Sequence, residues 1–272
     1  MEETKQDYAK SCFNNVANNY DEIPFFKTSA KYVVDIIQEK TRMKKLKVLD
    51  VACGTGNVLL ECAASMKEAT FDAVDISEGM LAKAKENAES KNLNNIEFYL
   101  QDVTKLDLDK KYHVITCSYA LFFLPEAISV LKKLVSMLRP MGMVIFTTFT
   151  EDAFAPSSEI ILTLLKKYGS PTAKEYDSDV WTNLKHKKDI ERLCTLSYVT
   201  DMQIVKKEIH YGMDIDAWWE LFNNTGYKGM LMELSDEDYA HVKQEYYEAM
   251  LKHADTNGEV ELVADSWFVV AK

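Results

Sequence analysis

The amino-acid sequence predicts a doubly wound α/β fold with a mostly parallel sheet, and three observations carry that expectation. Short β-branched-rich runs recur from residue 46 onward and alternate with amphipathic helical segments, the pattern of βαβ units. Glycine is scarce, 9 of 272 residues, roughly 3% where about 7% is ordinary, yet Gly54 and Gly56 fall together after the first such run. A last apolar, β-prone run at 266–271 completes the sheet at the end of the chain.

Residues 1–45 read as helical, with Tyr8, Cys12, Phe13 and Val16 on one side and Tyr32, Val33, Ile36 and Ile37 on another. A strand over 47–52 runs into Cys53-Gly54-Thr55-Gly56, and 57–66 follows as a helix with apolar Val58, Leu59, Cys62, Ala63 and Met66. A second strand spans 69–76, and Ser77 caps a helix that runs to about residue 90, with Met80, Leu81 and Ala84 inward. Strands at 96–100 and 112–118 come next, then an amphipathic helix over 125–138, closed by a turn at Arg139-Pro140-Met141-Gly142 before a fifth strand at 143–149. Beyond it lie helical stretches at about 157–168, 214–224 and 236–253, with a strand over 202–209. The organisation expected is a helical lid at 1–45, a ligand-binding core at 46–150, a cap with a late sheet strand at 151–260 and a final strand at 261–272.

Composition narrows the function. Lys+Arg 32 against Asp+Glu 43 gives a net charge of −11, which repels phosphate backbones and speaks against a nucleic-acid partner. Five cysteines are scattered without a CxxC pair, so neither a disulfide framework nor a metal site is expected, and a cytoplasmic location fits. The N-terminus is charged from its second residue, unlike a secretory signal, and no apolar run reaches the ~18 residues of a membrane span.

The chemistry concentrates at Asp50-Val51-Ala52-Cys53-Gly54-Thr55-Gly56-Asn57. Glycines at a strand-to-helix turn let backbone N–H groups approach a ligand that a Cβ would hold off. A dinucleotide fingerprint needs a third glycine at position 59, which is Leu59, and GxxxxGK[ST] is absent. Asp50 carries the wrong charge for a phosphate and the right one for an ammonium or sulfonium group.

This segment, V-L-D-V-A-C-G-T-G-N, resembles the first motif of class I S-adenosylmethionine-dependent methyltransferases, and the likeness extends over roughly residues 8–150. It implies a seven-stranded Rossmann-like sheet and S-adenosyl-L-methionine as cofactor, with S-adenosyl-L-homocysteine as product. The methionine part would lie against Asp50, Ala52, Cys53, Gly54, Gly56 and Asn57. Asp75, at the end of the second strand, would accept the ribose hydroxyls, Ile76 and Met80 would flank the adenine, and Gln101-Asp102-Val103 would meet its edge, with Ser118 near the transferable methyl. Phe13 to Asp21 is similar to a lid segment in the ubiquinone/menaquinone-type branch, which places Tyr20 over the cofactor.

The acceptor is expected to be a small molecule that receives the methyl on O, N, S or C. Candidate bases are His210 and Tyr119. Phe122 and Phe123 stand where many relatives carry histidines, and with Tyr119, Phe149, Trp218, Trp219 and Phe222 they form the expected acceptor wall. Two other readings stay open on sequence: a catalytically silent protein that keeps the fold to bind a partner, and an NAD(P)-dependent oxidoreductase, which Leu59 and Asp50 oppose. Oligomeric state is not legible.

Overall fold

A computed structural model describes residues 5–124, 126–175 and 184–272, with side chains from residue 10 onward. Tyr8 and Pro125, both used above, lie outside the described side chains. Seven strands form the central sheet in the order β3-β2-β1-β4-β5-β9-β6. They are β1 (Lys47–Val51), β2 (Thr70–Asp75), β3 (Ile96–Leu100), β4 (Tyr112–Ser118), β5 (Leu138–Phe149), β6 (Met202–Lys207) and β9 (Ser266–Ala271). The first five are parallel, and β9 inserts antiparallel between β5 and β6. Strand order reverses between β1 and β4, which leaves a crevice outside their carboxyl ends, the place where open α/β sheets bind ligands.

Helices α2 (Pro24–Lys40), α3 (Asn57–Ser65), α4 (Glu78–Ser90) and α5 (Ala127–Ser136) cover the sheet, and α1 (Lys5–Val16) packs on α4. The Ser77 cap forms as predicted: its Oγ accepts from Met80 N at 3.1 Å, satisfying an N–H that the first helical turn leaves open. Leu49, Val51, Ile115, Cys117, Val144 and Phe146 are buried on one sheet face, against Val130, Leu131 and Leu134 of α5. On the other, Val48, Phe71, Ala73, Val114 and Ile145 pack with Leu59, Cys62 and Ala63 of α3 and Val33 and Ile37 of α2.

One predicted turn is different in kind. Residues 138–142 do not stand apart from the fifth strand; they are its start. The register moves from Tyr112↔Leu138 to Val114↔Met143, a bulge that throws Met141 into solvent, 99% exposed. Gly142 sits in the constriction, where a Cβ would lie 2.9 Å from Arg139 O and 3.0 Å from Tyr112 O. Glycine is therefore required by close backbone approach, and the strand resumes at once.

The region after β5 divides in two. α8 (Lys187–Leu196) buries Ile190, Leu193 and Cys194 against α5 and the sheet, and with β6 it belongs to the core layer. α6 (Ser157–Lys167), α7 (Pro171–Glu175), α9 (Ile215–Asn223), α10 (Tyr227–Met232), α11 (Asp236–Met250) and the hairpin of β7 (His210–Asp214) and β8 (Glu259–Val263) build a second apolar cluster beyond the strand ends. The predicted helix over 236–253 ends at Met250.

Candidate functional site

The carboxyl end of β1 turns through two left-handed residues, Ala52 at φ +51° and Gly54 at +55°, before Gly56 at +90° starts α3. Alanine rarely adopts this conformation, so the turn is held by its surroundings. Asp75 from the neighbouring strand supplies one restraint, accepting from Gly54 N at 2.8 Å and Ser77 N at 2.9 Å. Asp21, just after the N-terminal helix, supplies another. Its carboxylate accepts from Thr55 Oγ1, from Asn57 Nδ2 at 3.0 Å and from Asn87 Nδ2 at 2.7 Å. Gly56 lines none of the cavities described below. Leu60 lies 3.2 Å from where a Cβ would be, and its work is the left-handed entry to α3.

Two cavities open on this turn. One, about 810 Å³ with its mouth, is lined by Ala52, Gly54, Asp75, Ile76, Met80, Gln101, Asp102, Val103 and Ser118. The smaller, about 410 Å³, is lined by Asp50, Ala52, Cys53, Gly54, Asn57, Ser29 and Ser118. Thirteen of the fourteen residues predicted on the cofactor side therefore line one or both, Tyr20 included. Asp50 is 3% exposed and accepts from Thr116 Oγ1 at 2.6 Å. Burial pushes its carboxyl up to about 7 despite that bond, as expected of an acid with no cation beside it. Burial likewise raises Asp75 against its backbone hydrogen bonds. The Ser118 hydroxyl is buried without a partner among the described residues.

A third space, about 1020 Å³ including its mouth, is walled by rings: Phe13, Phe25, Phe26, Phe122, Phe123, Phe149, Phe154 and Tyr227. Tyr20 and Tyr119 line all three spaces and mark their junction. Tyr119 follows β4 in a left-handed conformation, φ +52°, and stacks on Phe149 at 4.4 Å. Its hydroxyl is bonded to Ser29 Oγ at 3.0 Å and Ser266 Oγ at 2.9 Å. Burial pushes that phenol up to about 12.

Four predicted acceptor-side residues are corrected by their positions. His210 begins β7 with its ring 41% exposed, bonded to Asp265 at 2.9 Å and Glu261 at 3.1 Å, and lines none of the three spaces. These carboxylates outweigh the effect of burial, and its pKa is raised. Trp218, Trp219 and Phe222 are 0%, 1% and 0% exposed in the centre of the cap cluster, with Trp218 Nε1 donating to Val260 O at 3.1 Å. Their helical spacing serves packing. Phe122, Phe123, Phe149 and Tyr119 do line the chamber. Phe25, Phe26, Phe154, Thr150, Lys185 and Thr225 also line it and were not anticipated. Phe25-Phe26 directly follow Pro24 at the start of α2, a local sign of a helix start that says nothing of what the helix faces.

A protein-family model described as a methyltransferase domain matches residues 42–257, more than half of the chain. The chain belongs to this family. Among curated relatives, a malonyl-[acyl-carrier protein] O-methyltransferase from Halalkalibacterium halodurans is 33% identical over 150 residues, 52% of this chain and 55% of that protein. A demethylmenaquinone methyltransferase from Lactococcus lactis is 26% identical over 188 residues, covering 65% and 75%. The chain spans about half the length of the first of these. Among solved structures, the plantazolicin methyltransferase BpumL, in complex with SAH, superposes with a TM-score of 0.56 over 99% of this chain and 95% of its own, at 19% identity. That likeness concerns the methyltransferase-domain fold, which the sheet order already displays.

Proposed function

We propose that this methyltransferase domain transfers a methyl group from S-adenosyl-L-methionine to a small, largely apolar acceptor held in the ring-walled chamber. The observation that carries the reading is the junction: an acid-lined cavity over a glycine turn meets an aromatic chamber, and Tyr20 and Tyr119 stand where they join. The residues present fit the cofactor. A buried carboxyl at Asp50 with its pKa near 7 calls for a cation such as an amino group. The unpartnered Ser118 hydroxyl faces the same space, and a Cβ at Gly54 would meet only Tyr20, at 4.0 Å.

In this reading Asp50, Ala52, Cys53, Gly54 and Asn57 hold the amino-acid end, Asp75 the ribose, and Ile76, Met80, Gln101, Asp102 and Val103 the base. When bound, the cofactor supplies a sulfonium-activated methyl group. The chain's own task is to align acceptor and donor and to exclude water, which can supply several kcal/mol of the barrier. Phe13, Tyr20 and Phe123 close the junction from the lid side and from the loop after β4. Tyr119 is a wall, positioned by Ser29 and Ser266. Among the described residues neither a histidine nor a carboxylate lines the chamber, which favours acceptors that are nucleophilic without a protein base. Helix α1 and the segment after it serve as lid, 46–150 as cofactor core, α6, α7, α9, α10, α11 and the β7–β8 hairpin as cap, and β9 as the closing strand. Five free, buried cysteines fit a reducing cytoplasm, and the net charge of −11 fits a non-nucleic-acid acceptor.

Titration calorimetry with S-adenosyl-L-homocysteine and S-adenosyl-L-methionine tests this directly. Saturable binding of both is expected, and absence of binding by both would remove the assignment. Homocysteine release from a panel of metabolites then identifies the acceptor.

A further inference from the structure

The ring-walled chamber is not uniformly apolar. Among the described residues Lys185 is its one charged lining side chain, and no described group pairs with its ammonium. Its position is fixed by the backbone on both sides: Trp267 Nε1 donates to Lys185 O at 2.8 Å, and Thr148 Oγ1 donates to Leu184 O at 3.2 Å. Two residues after Thr148, just past the end of β5, Thr150 is 3% exposed and lines the same chamber, and its hydroxyl is buried without a partner among the described residues. Thr225, on the cap side, is a second lining residue whose buried hydroxyl has no partner among the described residues. A buried hydroxyl without a hydrogen bond costs stability unless a ligand or water completes it. A lysine beside an aromatic space, inside a chain of net charge −11, is a local exception to the surrounding field. Lys185, Thr148 and Thr150 line neither of the two spaces over the glycine turn.

Resting on the functional reading above, we infer that the acceptor is an amphipathic monoanion: an aromatic or similarly flat apolar body bearing a carboxylate, with the carboxylate held by Lys185 and Thr150. The rings of Phe25, Phe122, Phe149 and Phe154 take the body, and the ammonium and the hydroxyl together give the carboxylate charge-assisted and neutral hydrogen bonds. Because Lys185 and Thr150 line the chamber and neither of the spaces over the glycine turn, the carboxylate is a handle and the methyl goes to another atom of the acceptor. The chamber thus selects by charge at one end and by shape along the rest.

Two probes of the same shape separate this from a purely apolar chamber: 2-naphthoate and its neutral isostere 2-naphthamide, titrated calorimetrically into the full chain with and without S-adenosyl-L-homocysteine. The expected result is binding of naphthoate about tenfold or more tighter than of naphthamide, the discrimination of one charge-assisted contact. Lys185→Gln is expected to abolish that preference while leaving naphthamide affinity within about twofold, and Lys185→Arg to retain it. Thr150→Val, nearly isosteric, should reduce naphthoate binding with circular dichroism unchanged. Equal affinity for the two probes, no binding of either, or an undiminished preference in Lys185→Gln would overturn the inference. Failure of S-adenosyl-L-homocysteine to bind in the same experiment bears on the functional reading instead, since the preference between probes is also measured without it.

Discussion

The two halves of the site are made in opposite ways. Over the glycine turn, polar groups are held by short, named bonds: Asp75 to Gly54 N and Ser77 N, Asp50 to Thr116, Asp21 to Thr55, Asn57 and Asn87. In the chamber, rings lean on rings, as where Phe149 contacts Tyr119, Phe25 and Phe154 at centroid distances of 4.4, 5.6 and 4.7 Å. A hydrogen-bonded half recognises one ligand whose donors and acceptors are fixed. A ring-walled half recognises shape and area, and a few polar groups at its margin decide the rest. The same sheet can therefore keep one cofactor and change acceptors by changing the residues outside its strand ends.

The largest effect expected is on the cap. Trp219→Ala empties a fully buried site packed between Tyr239, Tyr246 and Tyr247, and a loss of ~3–5 kcal/mol of stability by chemical denaturation is expected. Cofactor affinity should stay near wild type wherever the variant remains folded. A large loss of affinity at unchanged stability would instead put Trp219 in a binding role.

Next comes Asp75→Ala, which removes the acceptor of two backbone N–H groups as well as the proposed ribose contact. A loss of roughly 100-fold in S-adenosyl-L-homocysteine affinity by calorimetry is expected. Unchanged affinity would break the contrast between the two halves at its strongest point.

The Asp50 carboxyl gives a pH signature. Its pKa is raised to about 7, so the acid is charged above that pH and neutral below it. In the proposed binding mode the charged form pairs with the ligand's amino group, so affinity is full well above pH 7 and is lost as pH falls through it. Between pH 8 and pH 6 the expected decrease is about tenfold, from one titrating group. Asp50→Asn should bind more weakly and show a flat profile over that window.

The smallest effect belongs to His210. With its ring 41% exposed, its ion pairs are worth at most ~1 kcal/mol, and His210→Gln should leave turnover nearly unchanged. A general base at that position would instead cost on the order of 100-fold in kcat.

How much of this was legible in the sequence follows the same division. Asp50 to Asn57, Asp75 to Met80 and Gln101 to Val103 are contiguous stretches at the ends of three adjacent parallel strands, so the topology carries each stretch intact to one crevice. The seven strands of the central sheet were legible too, apart from the bulge at 138–142, where a Pro-Met-Gly run reads as a turn but sits inside a paired strand; the β7–β8 hairpin was not foreseen. The chamber is assembled from Phe25 in α2, Phe122 after β4, Phe149 and Thr150 at the end of β5, Lys185 before α8, and Thr225 between α9 and α10. Periodicity marks an aromatic as helical and apolar, but Trp219, which is core, and Tyr227, which lines the chamber, carry the same signal.

What the sequence determined by itself is the part that rests on local conditions. A glycine-poor chain has Gly54 and Gly56 where backbone must be approached or turned left-handed, an acid stands at or next to the end of each of two strands, and βαβ spacing leaves a parallel sheet as the way to bury both faces. What only the tertiary structure decided is which apolar side chains face each other and which face a void. That choice depends on the meeting of segments far apart in the chain, as when Tyr119 is fixed by Ser29, 90 residues before it, and Ser266, 147 residues after it. Burial is a property of the assembled neighbours, and no single segment contains them.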